Sequence, residues 1–259
     1  MGLNDKVSLY ASAPAITFEP STSLGEAVSA LLVLHKHRIL VGRGVAVTGI
    51  IEPGDIPVVF ERLGIGAWNT PIAALAKSRP PVIGEDTTVG EAAELMVRTG
   101  LSTLLVDMRG ALGVFTSWDV LQAVEPEELL APVSEVVGSL HPRVSPNEPV
   151  ETALESMASS GRSVVLVGVE SPWGFLEPLS ALKAAVEGLT AGDAAEPIDV
   201  FTHCEGALSE VVAAMVDAAS RLAVVHSGWK PLASLDEFDV VRAAAGFWVG
   251  QRLRSGGGA

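Results

Sequence analysis

Cysteine is almost absent from this 259-residue chain: a single one, Cys204, excludes an intramolecular disulfide framework. The first ten residues lack the basic start and long apolar stretch of a secretory signal. Together these absences predict a reducing, cytoplasmic setting. Long hydrophobic runs are missing as well. The densest, 29–34 and 163–169, fall far short of the roughly 18 to 20 apolar residues that a membrane-spanning helix needs. The positive mean hydropathy of +0.40 and the 48% hydrophobic content are therefore read as a substantial buried core that needs no covalent staples. Basic side chains are outnumbered, 17 Lys and Arg against 31 Asp and Glu, for a net charge of −14. Both halves share the imbalance, 9 basic against 15 acidic in residues 1–130 and 8 against 16 in residues 131–259. Nucleic-acid affinity comes mainly from cations that neutralise phosphates, so the composition argues against a nucleic-acid partner, and the short apolar runs argue against a membrane. Asn, Gln and Cys are scarce, as in heat-adapted proteins.

Chemistry-bearing motifs are equally sparse. The sequence has no P-loop, no Rossmann glycine pattern, no nucleophile-and-base arrangement and no ligand cluster at metal spacing, so no enzymatic activity and no required cofactor or metal are expected. His35 and His37, two apart on an expected helix, point in different directions and are read as solvated. His203 and Cys204 lack a further Cys or His at ligand spacing.

What the sequence does contain is a repeat. Four segments share one order: apolar strand, turn, helix, strand, turn, strand, second helix. First helices are predicted to start at Leu24, Val89, Val150 and Leu208. Three residues on stand Ala27, Ala92, Ala153 and Val211, and four further Leu31, Met96, Met157 and Met215, which is one helical face. Ser23 with Glu26 and Thr88 with Glu91 have capping-box spacing, and Gly100 and Gly161 stand where helices should stop. Asp55, Asp119, Ser180 and Asp239 mark the second helices, each 30 or 31 residues after its helix start. Repeats are placed at 11–62, 78–125, 141–187 and 197–245. The stretches 65–78, 126–140 and 188–196 read as connectors.

The second repeat carries Gly113-Val114-Phe115-Thr116-Ser117-Trp118-Asp119. With its setting repeated four times over about residues 11–245, it resembles the G-Φ-Φ-T-x-x-D strand-to-helix motif of the CBS domain. The resemblance implies an α/β fold of four β-α-β-β-α repeats in two pseudo-twofold pairs, first with second and third with fourth, with small mixed sheets covered by helices. It also implies an adenosine-type ligand such as AMP, ADP or ATP, alone or bridged by magnesium. Asp119 would hold the ribose hydroxyls and Thr116 the phosphate, with Val82, Ile83 and Phe115 walling the adenine and Arg38 as phosphate partner. A carboxylate offers only acceptors and suits two donating hydroxyls.

The other repeats depart from the motif. The first keeps Asp55 but has Glu52 at the Thr position, where a carboxylate repels phosphate. The fourth keeps Asp239 behind Asp236, and the third, with Glu177 and Ser180, has lost both and is expected to be degenerate. Such acids fit adenosine without phosphates, a cationic ligand of the S-adenosylmethionine type, a metal-bridged nucleotide, or no ligand. Each Asp also serves as a helix cap without any ligand. Trp118 and Trp173 flank candidate sites. Trp68, Trp229 and Trp248 are assigned to burial or a subunit contact, and the final glycines to a frayed tail. The resemblance therefore implies a regulatory or sensor protein acting in trans on an unidentified protein partner, as a homodimer. The competing reading is a ligand-free scaffold for dimerisation.

Overall fold

The computed structural model describes residues 2–138, 140–228 and 230–256. Trp229 and the end of the glycine tail, 257–259, lie outside the described residues. The first repeat comprises β1 (Thr17–Phe18), α1 (Leu24–Val33), β2 (Ile39–Arg43), β3 (Ala46–Ile51) and α2 (Asp55–Leu63), followed by β4 (Lys77–Ser78). The second comprises β5 (Val82–Gly84), α3 (Val89–Thr99), β6 (Thr103–Met108), β7 (Ala111–Thr116) and α4 (Ser117–Ala123), and α5 (Val133–Val136) follows. The third comprises β8 (Arg143–Val144), α6 (Val150–Ser160), β9 (Val165–Val167), β10 (Gly174–Leu176) and α7 (Pro178–Glu187), then α8 (Ala191–Ala194) and β11 (Glu196–Pro197). The fourth comprises β12 (Phe201–His203), α9 (Leu208–Asp217), β13 (Leu222–Ser227), β14 (Lys230–Asp236) and α10 (Glu237–Gly256).

Each repeat has the same pairing: its first strand runs parallel to its second, and the second antiparallel to its third. The fold is thus mixed α/β, four small mixed sheets covered by helices. All four first helices begin at the residues the periodicity marks. Ser23 and Thr88 form reciprocal capping boxes with Glu26 and Glu91, and Gly100 and Gly161 close their helices in the left-handed conformation, φ 69° and 66°. Met96, Met157 and Met215 are all buried. The histidine expectation is corrected. Helix α1 ends at Val33, so neither His35 nor His37 is helical. His37 is not solvated either, because its Nδ1 stands 3.1 Å from Glu177 Oε2.

The chain divides into two compact units, one of residues 1–15, 80–140 and 199–259, the other of residues 16–79 and 141–198. In the second of these, α1 and α2 pack on α6 and α7 around one core that includes Leu24, Ile56, Leu154 and Leu182. In the first, the 20-residue α10 lies along α3 and α4. Its cores gather around Met96, Phe115 and Val241, and around Met215, Leu235 and Val240. Helix packing thus joins non-consecutive repeats, first with third and second with fourth. The expected pairs of consecutive repeats each draw one member from each unit.

Two tryptophans explain part of this packing. Trp68 covers Gly25 near the start of α1, and Trp248 covers Gly90 at the corresponding position of α3; a Cβ there would fall 2.3 and 2.2 Å from the indoles. The N-terminal segment belongs to the core of its unit. Leu3 and Val7 are fully buried, Leu3 N–H donates to both Glu128 carboxylate oxygens at 2.9 and 3.1 Å, and Ser12 bridges to Val114 on β7. Tyr10 O–H donates to Asp5 Oδ2 at 2.8 Å. Burial and this bond to a carboxylate push the phenol well above its usual range.

Candidate functional site

The sequence-marked aspartates all stand where a sheet strand turns into a helix. In the second repeat, Thr103 on β6 pairs with Thr116 at the end of β7, and β5 begins at that same end of the sheet, where Val82 pairs with Leu105. Val82 is exposed and Ile83 partly buried against the core. Phe115 is fully buried among core side chains, so any ligand contact it makes runs through its backbone. Thr116 caps α4. Its N–H and Oγ1–H donate to Asp119 Oδ2 at 2.6 and 2.8 Å, and Asp119 is buried. The ribose and phosphate candidates therefore bond to each other. A carboxylate accepts roughly four hydrogen bonds, so the two from Thr116 do not exhaust it.

The same cap recurs with different chemistry. In the first repeat Asp55 Oδ2 accepts from Glu52 N–H at 2.9 Å, while Oδ1 is ion-paired with Lys77 on β4. Both acids are buried. In the fourth, Asp239 Oδ2 accepts from Asp236 N–H at 3.1 Å, and Arg242, one turn on, pairs with Oδ1. In the third, Ser180 Oγ–H instead donates to the Glu177 carbonyl at 3.0 Å, a bond that caps no helix N–H. Both of the double-acid turns, Glu52 with Asp55 and Asp236 with Asp239, thus include a cation on the Asp. Arg242 was legible at i+3 from its partner. Lys77 was not, because strand register brings it there from 22 positions away.

The unit holding Asp119 has a second polar cluster beside it. Glu237, buried at the start of α10, accepts from Ser117 Oγ–H and pairs with Arg221 at 2.5 Å. The Arg221 guanidinium lies 5.6 Å from the Trp118 ring centroid, so Trp118 is already covered by a cation on one face. Ser117 and Glu237 occupy matching positions in their repeats, and the cluster ties the second-helix starts of the second and fourth repeats together. Trp173 is exposed. Arg38 lies in the unit of the first and third repeats, so its link to the phosphate rests on the resemblance alone. A groove of about 620 Å³ between α2 and α6, lined by Phe60, Ile65, Glu151 and Glu155, includes none of the marked aspartates. Among the described residues no group of three or more His, Cys, Asp or Glu side chains is arranged around a metal position, and no helix is long and apolar enough to cross a membrane.

The β4-to-α4 segment with its Thr116–Asp119 turn coincides with a match to the family model of the CBS domain, over residues 72–126. That segment is a CBS domain. The four-repeat arrangement has counterparts among solved structures. Protein MJ1225 from Methanocaldococcus jannaschii, described as a candidate archaeal homolog of g-AMPK, superposes with a TM-score of 0.75 at 16% identity, over 92% of this chain and 99% of that one. An uncharacterized conserved protein from Pyrococcus horikoshii superposes with a TM-score of 0.61 at 15% identity, over 93% of this chain and 100% of that one. At such identities the likeness is one of fold. No curated protein sequence matches the chain. The shared fold therefore extends across almost the whole chain, while the family match falls on the repeat whose motif is intact.

Proposed function

We propose that this protein binds an adenosine-type ligand in its second repeat and regulates a separate protein in trans, without catalysing a reaction of its own. The observation that carries the reading is the Thr116–Asp119 turn. It keeps both residues of the family motif, at the mouth of a sheet whose adjoining strand begins with the exposed Val82. Asp119 is the ribose acceptor, Thr116 the phosphate donor, and Val82 and Ile83 the base-side contacts. The phosphate partner Arg38, the assembly into a homodimer, a cytoplasmic setting and the use of magnesium belong to the same proposal. The fold shared with MJ1225, whose description relates it to g-AMPK, supports a regulatory reading. The first and fourth repeats, with acids in place of Thr and cations on their aspartates, are the sites for a ligand without phosphates or of the S-adenosylmethionine type.

A second reading has its own observation. In the first, second and fourth repeats the marked Asp accepts a backbone N–H at the start of its helix, which is a complete structural role. On that reading the repeats are a ligand-free scaffold. A thermal-shift panel of AMP, ADP, ATP, adenosine and S-adenosylmethionine, with and without magnesium, separates the two. A ligand that binds only the folded state raises the melting temperature with concentration. The sensor reading expects a rise with an adenine nucleotide that vanishes in Asp119→Ala. No shift with any compound favours the scaffold.

A further inference from the structure

Acids at the repeat junctions have basic partners: Asp55 holds Lys77, Glu177 meets His37 and Asp239 holds Arg242. The groove of about 620 Å³ between α2 and α6 is different. Three carboxylates line it, Glu61 from the C-terminal part of α2 and Glu151 with Glu155 from α6. None of the three has an ion-pair or hydrogen-bond partner among the described residues. Glu151 and Glu155 stand four apart on one helix, so their side chains share a face, about 6 Å apart along the axis. No Lys or Arg occurs on α6, and the single one on α2, Arg62, does not line the groove. Helix α2 also ends there. Gly64, whose N–H closes the last turn on the Phe60 carbonyl, belongs to the wall, so the negative end of the helix dipole adds to the three charges. The wall beside the acids is apolar: Ile65 is exposed, and Phe60 reaches the groove from the core. Thr152 and Ser156, one turn apart on α6, are small and leave room for incoming side chains.

We propose that this groove docks a basic amphipathic helix of the protein regulated in trans. Lys or Arg side chains four residues apart meet Glu151 and Glu155, a further cation meets Glu61, and an apolar side chain packs on Ile65 and Phe60. The inference rests on the reading that the chain acts on a separate protein. Charge complementarity selects the occupant. The carboxylates repel nucleic acid and anionic lipid, whereas a Lys or Arg stem covers the apolar wall while its head reaches an acid. A second copy is a poor occupant, because the chain carries a net charge of −14 spread over both halves, and its approach to this face sets like charges together. The helical form follows from the spacing. The lining from Glu151 to Ser159 extends about 12 Å, two turns of a partner helix, and cations one turn apart on that helix match acids one turn apart on α6.

The test uses the full chain without nucleotide, at about 0.15 M salt, where distant surface charges are screened. The probe is a fluorescein-labelled helical peptide of about 18 residues, made of Lys, Leu and Ala with its lysines four apart, and binding is read by fluorescence anisotropy. Glu61→Lys with Glu155→Lys should weaken binding about tenfold or more. Glu127→Lys with Glu135→Lys changes the net charge equally at exposed positions of the other unit and should leave the affinity within about twofold. Ile65→Ser should weaken binding by about threefold. Glu61 and Glu155 are exposed, and a Lys near the end of α2 suits the helix dipole, so unchanged circular dichroism is expected in the variant. Absence of binding to the wild type would overturn the proposal, and so would an equal loss in the Glu127 and Glu135 variant, which marks diffuse attraction. Self-association of the wild type that Glu61→Lys with Glu155→Lys abolishes in sedimentation would also overturn it, by assigning the groove to a second copy. Titration of the same proteins with AMP separates the two readings. Peptide binding without AMP binding removes the adenosine ligand and leaves the docking face, and AMP binding without peptide binding does the reverse.

Discussion

Two glycines of the same unit should respond to alanine with opposite signs. Gly90 sits in the first turn of α3 beneath Trp248, where a Cβ would lie 2.2 Å from indole Cδ2 and 2.5 Å from Cε3, more than 1 Å inside ordinary contact. The indole is 8% exposed, and its Nε1 has no hydrogen-bond partner among the described residues, so packing alone sets the ring. Forcing it outward is an overpacking event that costs about 1–3 kcal/mol, against a gain of at most about 1 kcal/mol in helix propensity. Gly246 is in the interior of α10, and a Cβ there meets nothing within 4 Å. Gly246→Ala should therefore stabilise by about 0.5–1 kcal/mol. Urea and thermal unfolding, followed by tryptophan fluorescence and circular dichroism, should place Gly90→Ala about 1–2 kcal/mol below the wild type. That corresponds to a melting temperature roughly 3–6 °C lower. Gly246→Ala should melt about 2 °C higher. If Gly90→Ala were as stable as the wild type, Trp248 would not be seated against α3 and the account of how α10 packs would fail.

Three further outcomes follow from the same unit. Arg221→Met strands the buried Glu237 carboxylate and should cost about 3 kcal/mol, whereas Arg221→Met with Glu237→Gln should cost less, a non-additivity that a double-mutant cycle measures. Leu3→Ala should cost about 3 kcal/mol in urea unfolding, because the N-terminal segment is part of the core and not a loose end. Tyr10 is the single tyrosine, and its folded-state pKa is raised by burial and the Asp5 bond. Its contribution to stability is present below the unfolded pKa of about 10 and is lost as pH rises above that value. Spectrophotometric titration should show no tyrosinate in the folded protein at pH 10.5, and Tyr10→Phe should flatten the alkaline fall in stability.

The fold was legible where local chemistry and periodicity agree. Leu24, Val89, Val150 and Leu208 start the first helices because apolar faces, and for Leu24 and Val89 capping boxes, fall in the same place. Contacts made across long separations were not legible. Nothing near Gly25 or Gly90 announces that Trp68 and Trp248 will cover them, and nothing in the first twelve residues marks Leu3 and Val7 as core. Helix packing of the first repeat on the third depends on which faces meet after folding, which the repeat pattern does not encode. Asp119 and Thr116 are visible as a motif, but their bond to each other and the Lys77 partner of Asp55 emerge only in the folded chain. His203 looked solitary for the same reason: its neighbour His226 arrives through strand register, 23 positions on.

The most direct test of the central claim is isothermal titration of the full chain with AMP, comparing wild type with Asp119→Asn, a substitution that keeps the shape of the cap and replaces an acceptor by an amide. The account expects saturable binding to the wild type and at least about a tenfold loss in the variant, equivalent to one charge-assisted hydrogen bond. Equal binding to both, or none to the wild type while the variant's unfolding shows only the loss of a helix cap, would contradict it.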